Sequence, residues 1–177
     1  LGMDGRRQDL AQRPELCKGS VEIVAPDAYM IRPPMPVTHF FLIDVSSQAV
    51  SSGVTSAACA AVAGILGDLQ GGGKARVGIA TFDKNVHFYQ VRSGAQVRML
   101  VSPDVDEPYA ALASKSLVTV GECQEELEKL LESIPGMASK VAAGDSCAVA
   151  AIASAAKVLE ETGGKLTVFL NSLARRG

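Results

Sequence analysis

Residues 37–45 read VTHFFLIDV, nine positions in which only Thr38, His39 and Asp44 are polar. A strand with one wet face alternates polar and apolar residues, so a run this apolar has to be covered on both sides. Helices supply such cover, which restricts the chain to α/β layering with parallel neighbours beside this strand. The rest of the chain must then provide helices for two faces and further strands for one sheet.

Those elements are readable in order. Positions 49–70 carry Val50, Val54, Ala57, Ala58, Ala61, Val62, Ile65, Leu66 and Leu69 at helical spacing, and the GGG at 71–73 stops the pattern. ARVGIATF (75–82) and VHFYQV (86–91) read as strands joined by the short turn Asp83, Lys84, Asn85, an antiparallel hairpin that makes the sheet mixed. A further short strand is expected near 97–101, followed by an acidic, proline-containing loop over 103–108. Thr119 with Glu122 has the form of a capping box, and Leu127, Leu130, Leu131 and Ile134 continue it as a helix ending near Pro135. Asp145 or Ser146 caps a third helix whose buried face is expected at Val149, Ile152, Ala153, Ala156 and Leu159, closed by Gly163 and Gly164. KLTVFL (165–170) is again a buried strand.

The expected fold is therefore a three-layer α/β domain with a mixed, mainly parallel sheet. It occupies 37–177, and because the chain stops just after a central strand the domain is expected to be incomplete. Residues 1–36 read as an extended arm with one short strand at 20–25 (SVEIVA). The arm ends at RPPMP (32–36), where proline fixes φ and removes donors. Arg6, Arg7, Arg13 and Lys18 make the arm basic.

Composition narrows the function classes. A net charge of -2 argues against a surface built for nucleic acid. No apolar run reaches the roughly 20 residues of a membrane span, and no secretory leader is evident, so a soluble cytosolic chain is expected. Cys17, Cys59, Cys123 and Cys147 are widely separated, neither histidine has a cysteine partner at ligand spacing, and free thiols in a reducing compartment follow.

Chemistry is most expected where the first strand ends, at Asp44-Val45-Ser46-Ser47-Gln48, because ligands of open α/β sheets bind beyond the carboxyl ends of strands. An aspartate-nucleophile phosphotransferase needs a second carboxylate two residues on, and Ser46 stands there instead. An adhesion-type von Willebrand A domain holds a divalent metal through D-x-S-x-S. Asp44 and Ser46 match that pattern, whereas Gln48 replaces the last hydroxyl and Leu170-Asn171-Ser172 stands where T-D-G is needed. Ser146 is a candidate for the threonine of an intermediate loop. The simplest alternative has Asp44 and Ser46 bonding backbone amides at the strand-to-helix switch. A dinucleotide site lacks its glycine signature, since GGGK (71–74) follows a helix, and His87 shows no cysteine or carboxylate partner in its strand. The glutamates 122, 125, 126, 128 and 132 read as the wet face of a helix.

Several stretches, in order, resemble one family. RPELCKGSVEIVAPDAYMIRPPMP (13–36) is similar to the segment leading from the zinc finger into the trunk domain of Sec24, the cargo-adaptor subunit of the COPII vesicle coat. FFLIDVS (40–46) resembles its first trunk strand, ARVGIATFDKNVHFYQV (75–91) the following hairpin, and MLVSPDVDEPYAAL (99–112) and GGKLTVFLNSL (163–173) the segments around the trunk helices. The small-residue stretch GMASKVAAGDS (136–146) departs from the family pattern. The resemblance implies a non-catalytic trunk segment that pairs with the sister subunit Sec23. It further implies a whole protein that selects cargo by cytosolic export signals on the endoplasmic reticulum membrane, with a Sar-type small GTPase as indirect partner. No cofactor is implied for this segment; zinc belongs to a finger expected before Leu1, and the cargo pockets to domains expected after Gly177.

Overall fold

The computed structural model describes residues 7–9, 12–31, 34–110, 113–141 and 144–173. Arg6, Arg32 and Pro33, named above, lie outside them, as do parts of the 99–112 and 136–146 stretches and the last four residues of the chain. The described residues belong to two compact units, Leu1–Pro34 and Met35–Gly177.

In the first unit, single 3-10 turns form at Pro14–Leu16 and Asp27–Tyr29. The strand expected over 20–25 is absent. Ile23 and Val24 are 73% and 90% exposed, and with no neighbouring ladder to satisfy its amides the segment stays extended and solvated. The basic character of the arm is partly neutralised locally. Arg7 donates to both carboxylate oxygens of Asp9 at 2.9 Å, and Arg13 lies 3.3 Å from Glu15.

The second unit is built on one mixed sheet. β1 (Thr38–Asp44) is buried at all seven positions and runs parallel to β2 (Arg76–Phe82) and β6 (Lys165–Phe169). β3 (Val86–Gln90) and β4 (Arg98–Ser102) extend it antiparallel, giving the order β4-β3-β2-β1-β6. A short strand that the sequence reading missed, β5 (Leu117–Thr119), pairs antiparallel with the start of β2. Alternation along β1 sorts the two cores. Phe41 and Ile43 join α2 (Val54–Ile65) and α3 (Val120–Val141) on one face, while Phe40 and Leu42 meet α4 (Ala148–Leu159) on the other.

Three helix expectations need correction. The helix expected over 49–70 is two helices, α1 (Ser47–Ser51) and α2, because Gly53 takes a left-handed φ of 81° that a continuous helix forbids. The helix expected to stop near Pro135 runs on to Val141. Ile134 and Ala138 are both buried in the core, and that packing offsets the roughly 3 kcal/mol that an internal proline costs. The helix does begin directly after the capping-box threonine, which also ends β5, and it breaks its own geometry at Cys123.

The third correction concerns the face of α4. Val149 and Ile152 point outward, 54% and 39% exposed, and the buried residues are Ala148, Ala150, Ala151, Ser154, Ala155, Val158 and, as expected, Leu159. Small residues let the helix lie close to a sheet that itself supplies the bulk, through Phe40, Phe82 and Phe88. The N-cap position falls at Cys147 rather than at Asp145 or Ser146, and the Cys147 amide donates to the Asp83 carbonyl at 2.8 Å. At its far end Gly164 adopts φ 143°, and a Cβ there would sit 2.7 Å from the Thr38 carbonyl oxygen.

Candidate functional site

Parallel register brings three strand ends to one pole of the sheet. Asp44 pairs with Phe82 and Ile43 with Phe169, so Asp44, Asp83 and the residues after β6 cluster beyond the carboxyl ends. Val45 extends β1 by one more bond to the Phe82 carbonyl before the chain turns, and Ser46 then caps α1 by accepting from the Ala49 amide at 3.3 Å.

Asp44 is fully buried, and protein donors take up its carboxylate. Oδ1 accepts the Ser46 amide at 2.9 Å. Oδ2 accepts the Asn171 amide at 3.1 Å, the Ser172 amide at 3.0 Å and the Ser172 hydroxyl at 2.7 Å. Ser46 Oγ donates in turn to Ser172 Oγ at 3.2 Å, and the Asp44 carbonyl accepts from Thr55 Oγ1 at 2.8 Å. Burial alone would raise the carboxyl pKa, but the bonds from Ser172, Ser46 and Asn171 outweigh it and hold Asp44 ionised, below the ordinary carboxylate range.

This arrangement does not fit a divalent cation of the A-domain kind. The Asp44 oxygens already serve four protein donors, and Gln48 is exposed on α1 rather than turned into the cluster. Among the described residues, no group of three His, Cys, Asp or Glu side chains is placed to hold a metal. Ser146 is buried, and its hydroxyl has no hydrogen-bond partner among the described residues.

Beside this cluster the hairpin builds a second one, which the sequence reading missed. Thr81 pairs across the ladder with His87, so the turn brings the His87 ring back toward Asp83. His87 Nδ1 lies 3.2 Å from Thr81 Oγ1, which is also 3.0 Å from the Tyr89 hydroxyl, and His87 Nε2 lies 3.7 Å from Asp83 Oδ1. A carboxylate thus stands near His87 after all. Its Oδ1 accepts the Asn85 amide at 2.9 Å, closing an Asx-type turn. Burial lowers the His87 pKa and Asp83 opposes this only in part; burial likewise pushes Tyr89 up to about 12. The signal that could have found the cluster was the hairpin itself, in which positions 81, 87 and 89 share one face.

These side chains line a cavity of about 270 Å³ that also takes in Val45, Met99, Ile134 and Met137. Its polar groups bond one another, with the Thr81 hydroxyl in reach of both His87 and Tyr89. The three thiols inside the fold, Cys59, Cys123 and Cys147, are buried and form no disulfide, with Cys59 pushed up to about 11 by burial and so unreactive at neutral pH. Among the described residues, no helix is long and apolar enough to cross a membrane.

The layered sheet and its strand-end aspartate define a von Willebrand A-like domain. Residues 34–177 match the Sec23/Sec24 trunk domain. The chain belongs to the Sec23/Sec24 trunk domain family, on its Sec24 side. It is 47% identical to protein transport protein SEC24 B of Arabidopsis thaliana over its whole length, which is 16% of that relative. It is 38% identical to SEC24 of Dictyostelium discoideum, over 97% of this chain and 17% of the other. The human COPII-coat protein Sec24c superposes with a TM-score of 0.83 at 34% identity, over 98% of this chain and 24% of that one. The chain thus spans about one-sixth of the curated relatives it matches.

Proposed function

We propose that this chain is a non-catalytic trunk segment of a COPII coat subunit, which pairs with Sec23 and so helps a larger adaptor gather cargo for vesicles leaving the endoplasmic reticulum. The observation that carries the non-catalytic part is the Asp44 carboxylate. At the position where an α/β fold of this type does chemistry, the buried Asp44 carboxylate is bound by backbone and serine donors, and Ser46 stands two residues on where an acid/base carboxylate is needed. The coat part is supported by the likeness to Sec24 proteins of plants, an amoeba and mammals, one of them named as a COPII-coat protein.

In this reading the segment acts by shape and needs no cofactor. Cargo export signals, the membrane surface and a Sar-type GTPase are partners of the whole adaptor, which works at the cytosolic side of the membrane without crossing it. A metal-dependent ligand-binding A domain is the alternative, and the saturation of Asp44 speaks against it.

The test is capture of purified Sec23 by the parent protein, with and without residues 37–171, in EDTA. Capture that requires the segment but no metal supports the reading. Equal capture without the segment removes the pairing role, and capture abolished by EDTA alone favours the metal-dependent alternative.

A further inference from the structure

The hairpin cavity opens beside the last strand of the sheet, and the two features combine. We propose that β4 and this cavity form a docking site for an extended peptide segment of a partner protein. The segment adds to β4 as a further strand, places one large aliphatic side chain in the cavity, and carries acidic residues beside it. This goes beyond the coat reading and stands or falls without it.

Three observations carry the proposal. First, β4 ends the strand order, so its outer row of backbone N-H and C=O groups has no strand partner among the described residues. Such an edge is a template for strand addition unless it is charged, twisted away or covered. Here it is apolar on the cavity side. Met99 pairs with Tyr89 and Val101 with His87, which puts both side chains on the cavity face, 51% and 43% exposed.

Second, the cavity has the size and chemistry for one aliphatic group. It holds about 270 Å³ between β3, β4 and the end of α3, and Met137, 40% exposed, stands on its helix side. Thr81, His87 and Tyr89 bond one another there and call for no charged head group. Methionines at the rim adapt to different occupants at little cost.

Third, cations flank the edge unpaired. Arg98 opens β4, Arg92 follows β3, and Lys84 lies in the hairpin turn at the cavity. All three are exposed, and none makes an ion pair among the described residues. Side chains alternate along a strand, and Arg98 is the odd neighbour of Met99, on the opposite face. An acidic residue matched to Arg98 therefore sits at an odd spacing from the aliphatic one.

The test titrates the full 177-residue chain, labelled with nitrogen-15, with the acetylated peptide Thr-Thr-Glu-Leu-Glu-Thr-Thr. The expected result is saturable shifts of the amides of β4 and of Met137, with a Kd below about 1 mM. Replacing the leucine by alanine, or methylating alternate peptide nitrogens, should each weaken binding at least about fivefold. The exposed-site pair Met99→Lys with Val101→Lys should do the same while leaving the melting temperature unchanged. No binding up to about 1 mM, equal binding of the alanine peptide, indifference to methylation, or shifts confined to other surfaces would each overturn the proposal. So would dimerisation of the chain through β4, seen as concentration-dependent sedimentation with the same amides shifted, since the occupant is then a second copy.

Discussion

Asp44 and His87 stand at one pole of the sheet, on β1 and β3 with β2 between them, and they have opposite environments. Asp44 is closed: no exposed surface, four protein donors, a charge held by hydrogen bonds. His87 is open: partly exposed, on the wall of a cavity, with one hydroxyl in bonding range and a carboxylate at 3.7 Å. Where a fold family elsewhere places its chemistry, this chain has built an internal tie between the first strand and the segment after the last one. The accessible space lies beyond β2, against β3 and β4.

The comparison breaks first if Asp44 proves dispensable. Asp44→Ala leaves the buried amides of Ser46 and Ser172 and the half-buried amide of Asn171 without their acceptor, and the expected loss is about 3–5 kcal/mol in urea unfolding. A loss under about 1 kcal/mol would mean the cluster carries no stability. Ser172→Ala removes one charge-assisted bond and keeps the amides, so about 1.5–3 kcal/mol is expected. A double-mutant cycle with Ser46→Ala should show coupling, because the two hydroxyls bond each other.

Acid separates the two clusters. The Asp44 pKa is lowered in the folded state, so the unfolded chain takes up that proton first. The stabilisation is present above the ordinary carboxylate pKa of about 4 and is lost as pH falls through the lower folded value. His87 is also lowered, by burial with Asp83 in partial opposition. Its unfolded form protonates first below about pH 6.5, so a smaller loss begins there. Unfolding midpoints from pH 8 to 3 should therefore fall in two stages, with the upper one abolished in His87→Leu. A single stage in the unaltered protein would show that the His87 environment is not distinct. At neutral pH, His87→Leu should cost no more than about 1 kcal/mol, since Thr81 keeps Tyr89 as partner.

How much of this was legible follows from where each constraint originates. β1 was readable because burial on both faces writes itself into every position of the strand. The hairpin was readable from its turn residues. The inward face of α4 was not, because the bulk that fills its interface belongs to Phe40, Phe82 and Phe88 on other elements, and small helix residues leave little periodic signal. α3 passed through Pro135 because tertiary burial of Ile134 and Ala138 overrode a local rule. At the site, Asp44 and Ser46 were legible from their motif. Asn171 and Ser172 were weighed only as departures from T-D-G, because partners 127 and 128 residues away are set by the register of β6. Gln48 was legible as a mismatch, and its exposure follows from its place in the first turn of α1.

The most direct test of the claim that Asp44 is a structural tie is thermal unfolding of the chain in EDTA and in millimolar Mn²⁺, Mg²⁺ or Ca²⁺. The account predicts melting temperatures equal within about 1 °C, since a ligand that does not bind the folded state cannot stabilise it. A rise of several degrees with one cation, lost in Ser46→Ala, would contradict it.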